Sequence, residues 1–103
     1  MDNLELQEWQ KHLSDDNTVI LDVRTPEENE ESKIPNSILL NIQETDHFAE
    51  KVKEFDKDKK YMVYCRSGRR SESACKLMEE LGFKDLHNLK GGIIEWSKYY
   101  ETE

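Results

Sequence analysis

YMVYCRSGRRSESACKLMEELGF (61–83) is the stretch that decides the fold. Residues 61–65 form an apolar and aromatic run without a polar break, the pattern of a strand buried on both faces. From Ser71 to Leu81 the period changes: Ala74, Leu77, Met78 and Leu81 trace one face of a helix, and Gly82 suits its C-terminal cap. Between them RSGRR (66–70) must turn sharply, with Gly68 supplying backbone angles that other residues resist. A buried strand, a tight turn and an amphipathic helix make the first half of a parallel crossover.

The same alternation continues outward in both directions. TVILDVR (18–24) and SILLNI (37–42) read as further strands, and LHNL (86–89) as a short one. Leu6, Trp9 and Leu13 recur at helical spacing over roughly 5–13, and SDDN (14–17) is a turn. TPEE (25–28) opens a helix: Thr25 is a suitable N-cap, Pro26 suits the first helical position, and Glu28 completes a capping box. The acidic run 27–31 favours the positive end of that helix. DHFAEKVKEF (46–55) is helical, DKDKK (56–60) is a solvated turn, and GGIIEWSKYY (91–100) is a glycine turn followed by a helix. Strands alternating with helices predict an α/β fold with a mostly parallel sheet and helices on both faces.

The chain has 103 residues, a formal charge of −8 and 37% charged residues. One domain spanning 1–103 with one modest core is expected. The acidic balance argues against nucleic-acid binding, which relies on clustered Lys and Arg. No apolar run is long enough to span a bilayer. MDNLELQEWQ (1–10) has neither a basic n-region nor an apolar h-region, so a signal peptide is not expected. The two cysteines, Cys65 and Cys75, show no CxxC or Cys/His metal spacing, which predicts reduced thiols in a cytoplasmic protein and no metal.

Against that acidic background, Arg66, Arg69 and Arg70 gather around one thiol. Ligands in open α/β sheets sit at the carboxyl ends of strands. Cys65 falls there, just before a helix beginning near Arg70 or Ser71. A tight loop can turn successive N–H groups inward as an anion nest, and the helix adds its own amides and dipole. A free cysteine is only a few per cent thiolate at neutral pH; ionising most of it requires about 2.7 kcal/mol. A helix end supplies up to about 2 kcal/mol when partly buried. Inward amides and the arginine fields can add the remainder. The loop is suited to hold a thiolate, or an anion formed on one, without a neighbouring base. Alone, Cys65 reads as a small buried hydrophobe; the whole CRSGRRS at a strand–helix junction shifts the reading to chemistry.

These motifs, LDVRTPEE (21–28), KIPNSILLNI (33–42), YMVYCRSGRRSESACKLMEELGF (61–83) and LKGGIIEW (89–96), occur in the order of the rhodanese family, which the chain resembles in its small single-domain form. The resemblance covers nearly the whole chain. It implies a five-stranded, mainly parallel sheet flanked by helices. It also implies a cysteine that takes sulfane sulfur from a donor such as thiosulfate and passes it to a thiol, cyanide or an acceptor protein. Carried over by position, Cys65 is the sulfur-carrying nucleophile. Arg66, Ser67, Gly68, Arg69, Arg70 and Ser71 form the active loop, with the three arginines attracting an anionic donor. Asp22 and Arg24 match a DVR motif that supports it. No cofactor, nucleic acid or membrane is implied, and a monomer suffices. Ser32-Lys33 and Asn36-Ser37 stand where the family often has Gly-His and Gly-Ala, a departure on the substrate side.

Cysteine phosphatases and arsenate reductases are the nearest enzymatic alternative, but their signature places Arg six residues after Cys. Here Arg70 follows at five, which suits a carried sulfur atom better than a phosphate. A non-catalytic binding module is the other alternative; it commonly loses the cysteine or the loop charges, and both are present. His12, His47 and His87 read as scattered surface or edge residues. Cys75 reads as structural, about two turns of helix and some 10 Å from the loop, and Glu28 as a cap. Trp9 and Trp96 read as core or edge packing, and Leu89–Trp96 as closing the sheet edge.

Overall fold

The computed structural model describes residues 1–103. In chain order the elements are β1 (Asp2–Leu4), α1 (Leu6–Lys11), a 3-10 turn (His12–Ser14), β2 (Thr18–Asp22) and α2 (Pro26–Glu31). There follow β3 (Ser37–Leu39), α3 (Thr45–Val52), β4 (Lys60–Tyr64), α4 (Arg69–Glu80), β5 (Leu86–Leu89) and α5 (Gly92–Trp96). The five strands form one sheet in the order β1-β5-β4-β2-β3. Every pairing is parallel, with Asp22 opposite Tyr64, Val63 opposite Asn88 and Asn3 also opposite Asn88. No helix is long and apolar enough to cross a membrane.

The period of two along β4 divides the core. Tyr61, Val63 and Cys65 join Phe48, Val52, Ala74, Cys75 and Met78 on the face covered by α3 and α4. Met62 and Tyr64 join Trp9, Ile34, Ile93 and Trp96 on the opposite face, under α1 and α5. Both tryptophans are therefore core residues, packed edge to face with ring centroids 6.0 Å apart. Each fully buried large side chain contributes on the order of 1.5–3 kcal/mol of transfer free energy. The parity also sends the Cys65 side chain toward α4.

Several boundaries differ from the sequence reading, for local reasons. β2 ends at Asp22, not at 24, because the Asp22 carboxylate accepts the Arg24 backbone N–H at 3.0 Å and turns the chain. β3 ends at Leu39, yet its continuation still bonds β2: Leu40 N–H donates to Asp22 and Ile42 N–H to Val23. The helix read as 46–55 spans 45–52, and the helix read after the glycine turn within 91–100 spans 92–96, starting at the second glycine. Helix α4 begins at Arg69, earlier than expected, with Gly68 as its N-cap at φ 99°. A fifth strand, β1, was not read from the sequence at all. It forms the sheet edge, so Leu89–Trp96 does not: β5 lies inside, between β1 and β4.

The chain runs outward from β2 to β3, then returns to β4 on the other side of β2. That reversal opens a crevice beyond the carboxyl ends of β2 and β4, where an open α/β sheet binds its ligands. Asp22 ends one of these strands and Cys65 follows the other.

Candidate active site

Cys65 is 1% exposed. Its Sγ accepts two hydrogen bonds, from the Gly68 N–H at 3.1 Å and from the Ser71 Oγ–H at 3.2 Å. The first comes from the loop's return and the second from the first turn of α4. Sulfur thus lies at a helix N-terminus, where orphan amides and the dipole favour negative charge. Ser71 is fully buried, and with Arg69 and Arg70 it belongs to the first turn of α4, so the loop itself is only Arg66, Ser67 and Gly68.

The loop is clamped from the far side by the segment after β5. Ile93 N–H donates to the Cys65 carbonyl at 2.9 Å and Ile94 N–H to the Arg66 carbonyl at 3.2 Å. Gly92 makes this approach possible. It sits at φ +64°, and a Cβ there would lie 2.1 Å from the Arg66 oxygen. Gly68 meets the same limit: its Cβ would fall 2.2 Å from the Lys90 oxygen. Buried Asn88 adds a third tie, donating from Nδ2 to the Gly68 carbonyl at 3.0 Å and to Asn3 Oδ1 at 2.8 Å.

The arginines divide into three situations. Arg24 is buried and forms a two-point ion pair with Asp22, Nε to Oδ1 at 2.9 Å and a second guanidinium nitrogen to Oδ2 at 2.8 Å. It also donates to the Ser32 carbonyl at 2.7 Å and lies 5.4 Å from the centre of the Tyr64 ring. Arg70 is held by Glu28 in a second two-point pair at 2.6 and 2.9 Å. Arg66 and Arg69 are exposed and form no ion pair. The Arg70 guanidinium beside Glu28 holds its carboxyl down at about 2, with Thr25 adding hydrogen bonds. Glu28 is the N3 residue of the predicted capping box, which is present in full. Its second task, restraining Arg70, was not read from the sequence.

Tyr64 supports Arg24 from below; burial pushes its phenol up to about 12, so it stays neutral. Its oxygen accepts the Ile34 N–H at 3.1 Å and lies 3.0 Å from Ser37 Oγ. Ser37 and Ser32, two of the positions that depart from the family pattern, are therefore part of this scaffold. Asn29 also donates to Asp22 Oδ2 at 3.0 Å.

With α4 starting at Arg69, Cys75 lies about two turns, roughly 10 Å along the axis, beyond the N-cap Gly68, and one turn beyond Ser71. It is fully buried, and burial pushes its thiol up to about 12, which excludes it as a thiolate near neutral pH.

The histidines are not all scattered. His12 and His87 stack at 4.8 Å at the opposite end of the sheet, and His87 is buried, with Nε2 2.6 Å from Asp85 Oδ1. Packing of α1 on β5 brings this about, with Trp9 donating from Nε1 to the His87 carbonyl at 3.2 Å. His47 alone is a plain surface residue.

Asn88 and Gly92 were the functional residues missed as such. Asn88 had a signal, since a polar residue inside a short apolar strand needs a partner. The signal at Gly92 was the paired glycine after β5, there assigned to an edge that does not exist.

Residues 5–99 match the rhodanese-like domain family. Protein YtwF of Bacillus subtilis is 38% identical over 87 residues, 84% of this chain and 81% of that protein. The thiosulfate sulfurtransferase GlpE of Coxiella burnetii is 36% identical over 84 residues, 82% of this chain and 76% of that protein. The crystal structure of a rhodanese-related protein from Thermoplasma volcanium superposes with a TM-score of 0.83 at 30% identity, covering 100% of this chain and 98% of that one.

Proposed function

The chain belongs to the rhodanese-like domain family, and we propose that it is a sulfurtransferase carrying sulfane sulfur on Cys65. The observation that carries this reading is the pair of donors, Gly68 N–H and Ser71 Oγ–H, on one sulfur at the head of α4. Charge-assisted hydrogen bonds of this kind strengthen when the acceptor becomes anionic. The named relatives support the reaction class.

The reaction has two displacements. The Cys65 thiolate attacks the outer sulfur of thiosulfate; the new S–S bond forms as the old one breaks, and sulfite leaves with the bonding pair. Cyanide, a thiolate or an acceptor protein then attacks the outer sulfur of the Cys65 persulfide, and Cys65 leaves as thiolate. No electrons are gained or lost overall, and neither a cofactor nor a general base is needed. Arg66 and Arg69 attract the anionic donor, while Arg70 fixes the loop through Glu28. The two free thiols fit a reducing, cytoplasmic setting.

Incubation with thiosulfate followed by mass spectrometry should find one added sulfur atom on Cys65. Thiocyanate formation from cyanide should vanish in Cys65→Ser. Full turnover in that variant, or no sulfur uptake from any donor, would refute the assignment; a folded protein with no turnover would instead mark a binding module.

A further inference from the structure

Five clefts indent the surface, and one alone is lined by a residue of the loop between Cys65 and α4. Its volume is about 380 Å³, and Arg24, Glu28, Glu31, Arg66 and Ile94 are among its walls. Four charges line it, and two are already neutralised. Arg24 is paired with Asp22, and Glu28 with Arg70. That leaves Arg66 on the loop side and Glu31 at the end of α2. Both are exposed, and neither forms an ion pair with the other or with anything else. Ile94, 41% exposed, supplies an apolar surface in the same cleft.

A cleft with one free cation and one free anion suits a ligand that carries both charges. It suits an inorganic dianion less well, because that gains from Arg66 but is repelled by Glu31. We propose that the preferred sulfur acceptor is a zwitterionic amino thiol, whose carboxylate meets Arg66 and whose ammonium meets Glu31. Glu31 is then a specificity residue that weakens binding of thiosulfate-like dianions. This rests on the sulfur-carrying role of Cys65 and adds the acceptor's chemical class. The step is balanced: the amino thiol, having lost its proton to solvent, attacks the outer sulfur of the persulfide. Its new S–S bond replaces the one to Cys65, which departs as thiolate.

The test compares three small acceptors on protein first loaded with sulfur. Cysteine carries both charges, cysteamine the ammonium only, and 3-mercaptopropionate the carboxylate only. Wild type should have its lowest KM with cysteine. Glu31→Gln should raise the KM for cysteine and cysteamine roughly three- to tenfold, leave 3-mercaptopropionate equal or better, and lower the KM for thiosulfate in the loading step. Glu31→Lys should exaggerate every one of these shifts, with the effects in KM and not in kcat. Equal shifts for all three thiols, or a thiosulfate KM that does not fall, would overturn the proposal while leaving Cys65 chemistry intact. Failure of Cys65 to load would overturn both.

Discussion

Glu28 joins two structures that the chain makes separately. Its carboxylate accepts the Thr25 N–H at 3.2 Å and also grips Arg70, forty-two residues away, at 2.6 Å. Gln in its place keeps the capping box and removes only the charge pair. With its partners about a quarter exposed, Glu28→Gln should cost about 1 kcal/mol at pH 7, read as a lowered Tm. The Glu28 carboxyl is held down at about 2, below its unfolded value, so its contribution is complete above about pH 4.5. It fades as pH falls toward 2, and the Tm difference between the two proteins should shrink to nothing over that range. Cys75 behaves oppositely: burial pushes its thiol up to about 12, which keeps it protonated near neutral pH. Cys75→Ala should therefore load sulfur on Cys65 as wild type does, by mass spectrometry, at a stability cost of about 1 kcal/mol from the small void left. At this scale the sequence disclosed the cap and the place of Cys65 between a strand and a helix, because both depend on neighbours in the chain. It could not disclose the grip on Arg70, because that depends on where the first turn of α4 lands in space.

At the scale of elements, the turn after β5 matters as much as the loop it holds. A methyl group on Gly92 would collide with the Arg66 carbonyl and would also require a positive φ. Gly92→Ala should lower turnover at least tenfold and reduce stability by about 2–3 kcal/mol, measured by cyanide assay and denaturant melt. Gly91→Ala is the comparison: a Cβ there would lie 2.7 Å from the Glu95 Cβ, which the backbone fixes, so it should also lower stability, but it leaves the Arg66 carbonyl untouched and turnover should fall less. The helices and four of the strands were legible because hydrophobic period and caps are local signals. β1 was not, since three residues give no period. What makes Asp2–Leu4 a strand is its partner, Leu86–Leu89. The histidine stack was hidden for a similar reason: it exists only once α1 lies against β5.

Over the whole molecule, the sheet is protected at its centre and open at both sides. β4 and β2 are covered on both faces, whereas β3 leaves Ile38 50% exposed. Amide hydrogen exchange should be slowest in Tyr61–Tyr64 and fastest, among strands, in β1 and β3. Equal protection across all five would contradict the two-layered core. The sheet order also has a consequence in time. Synthesis delivers β1 first, but its only neighbour, β5, comes more than eighty residues later. A ribosome can complete β2, β3 and β4 and still hold a thiol loop restrained on one side only, by the pair between Arg70 and Glu28. The bonds from Ile93 and Ile94 that fix the loop form only when that last segment emerges. A nascent chain stalled before residue 92 should therefore carry a sulfur atom exposed to solvent and unselective toward oxidants, so the finished cradle is the molecule's own late-arriving protection against premature damage.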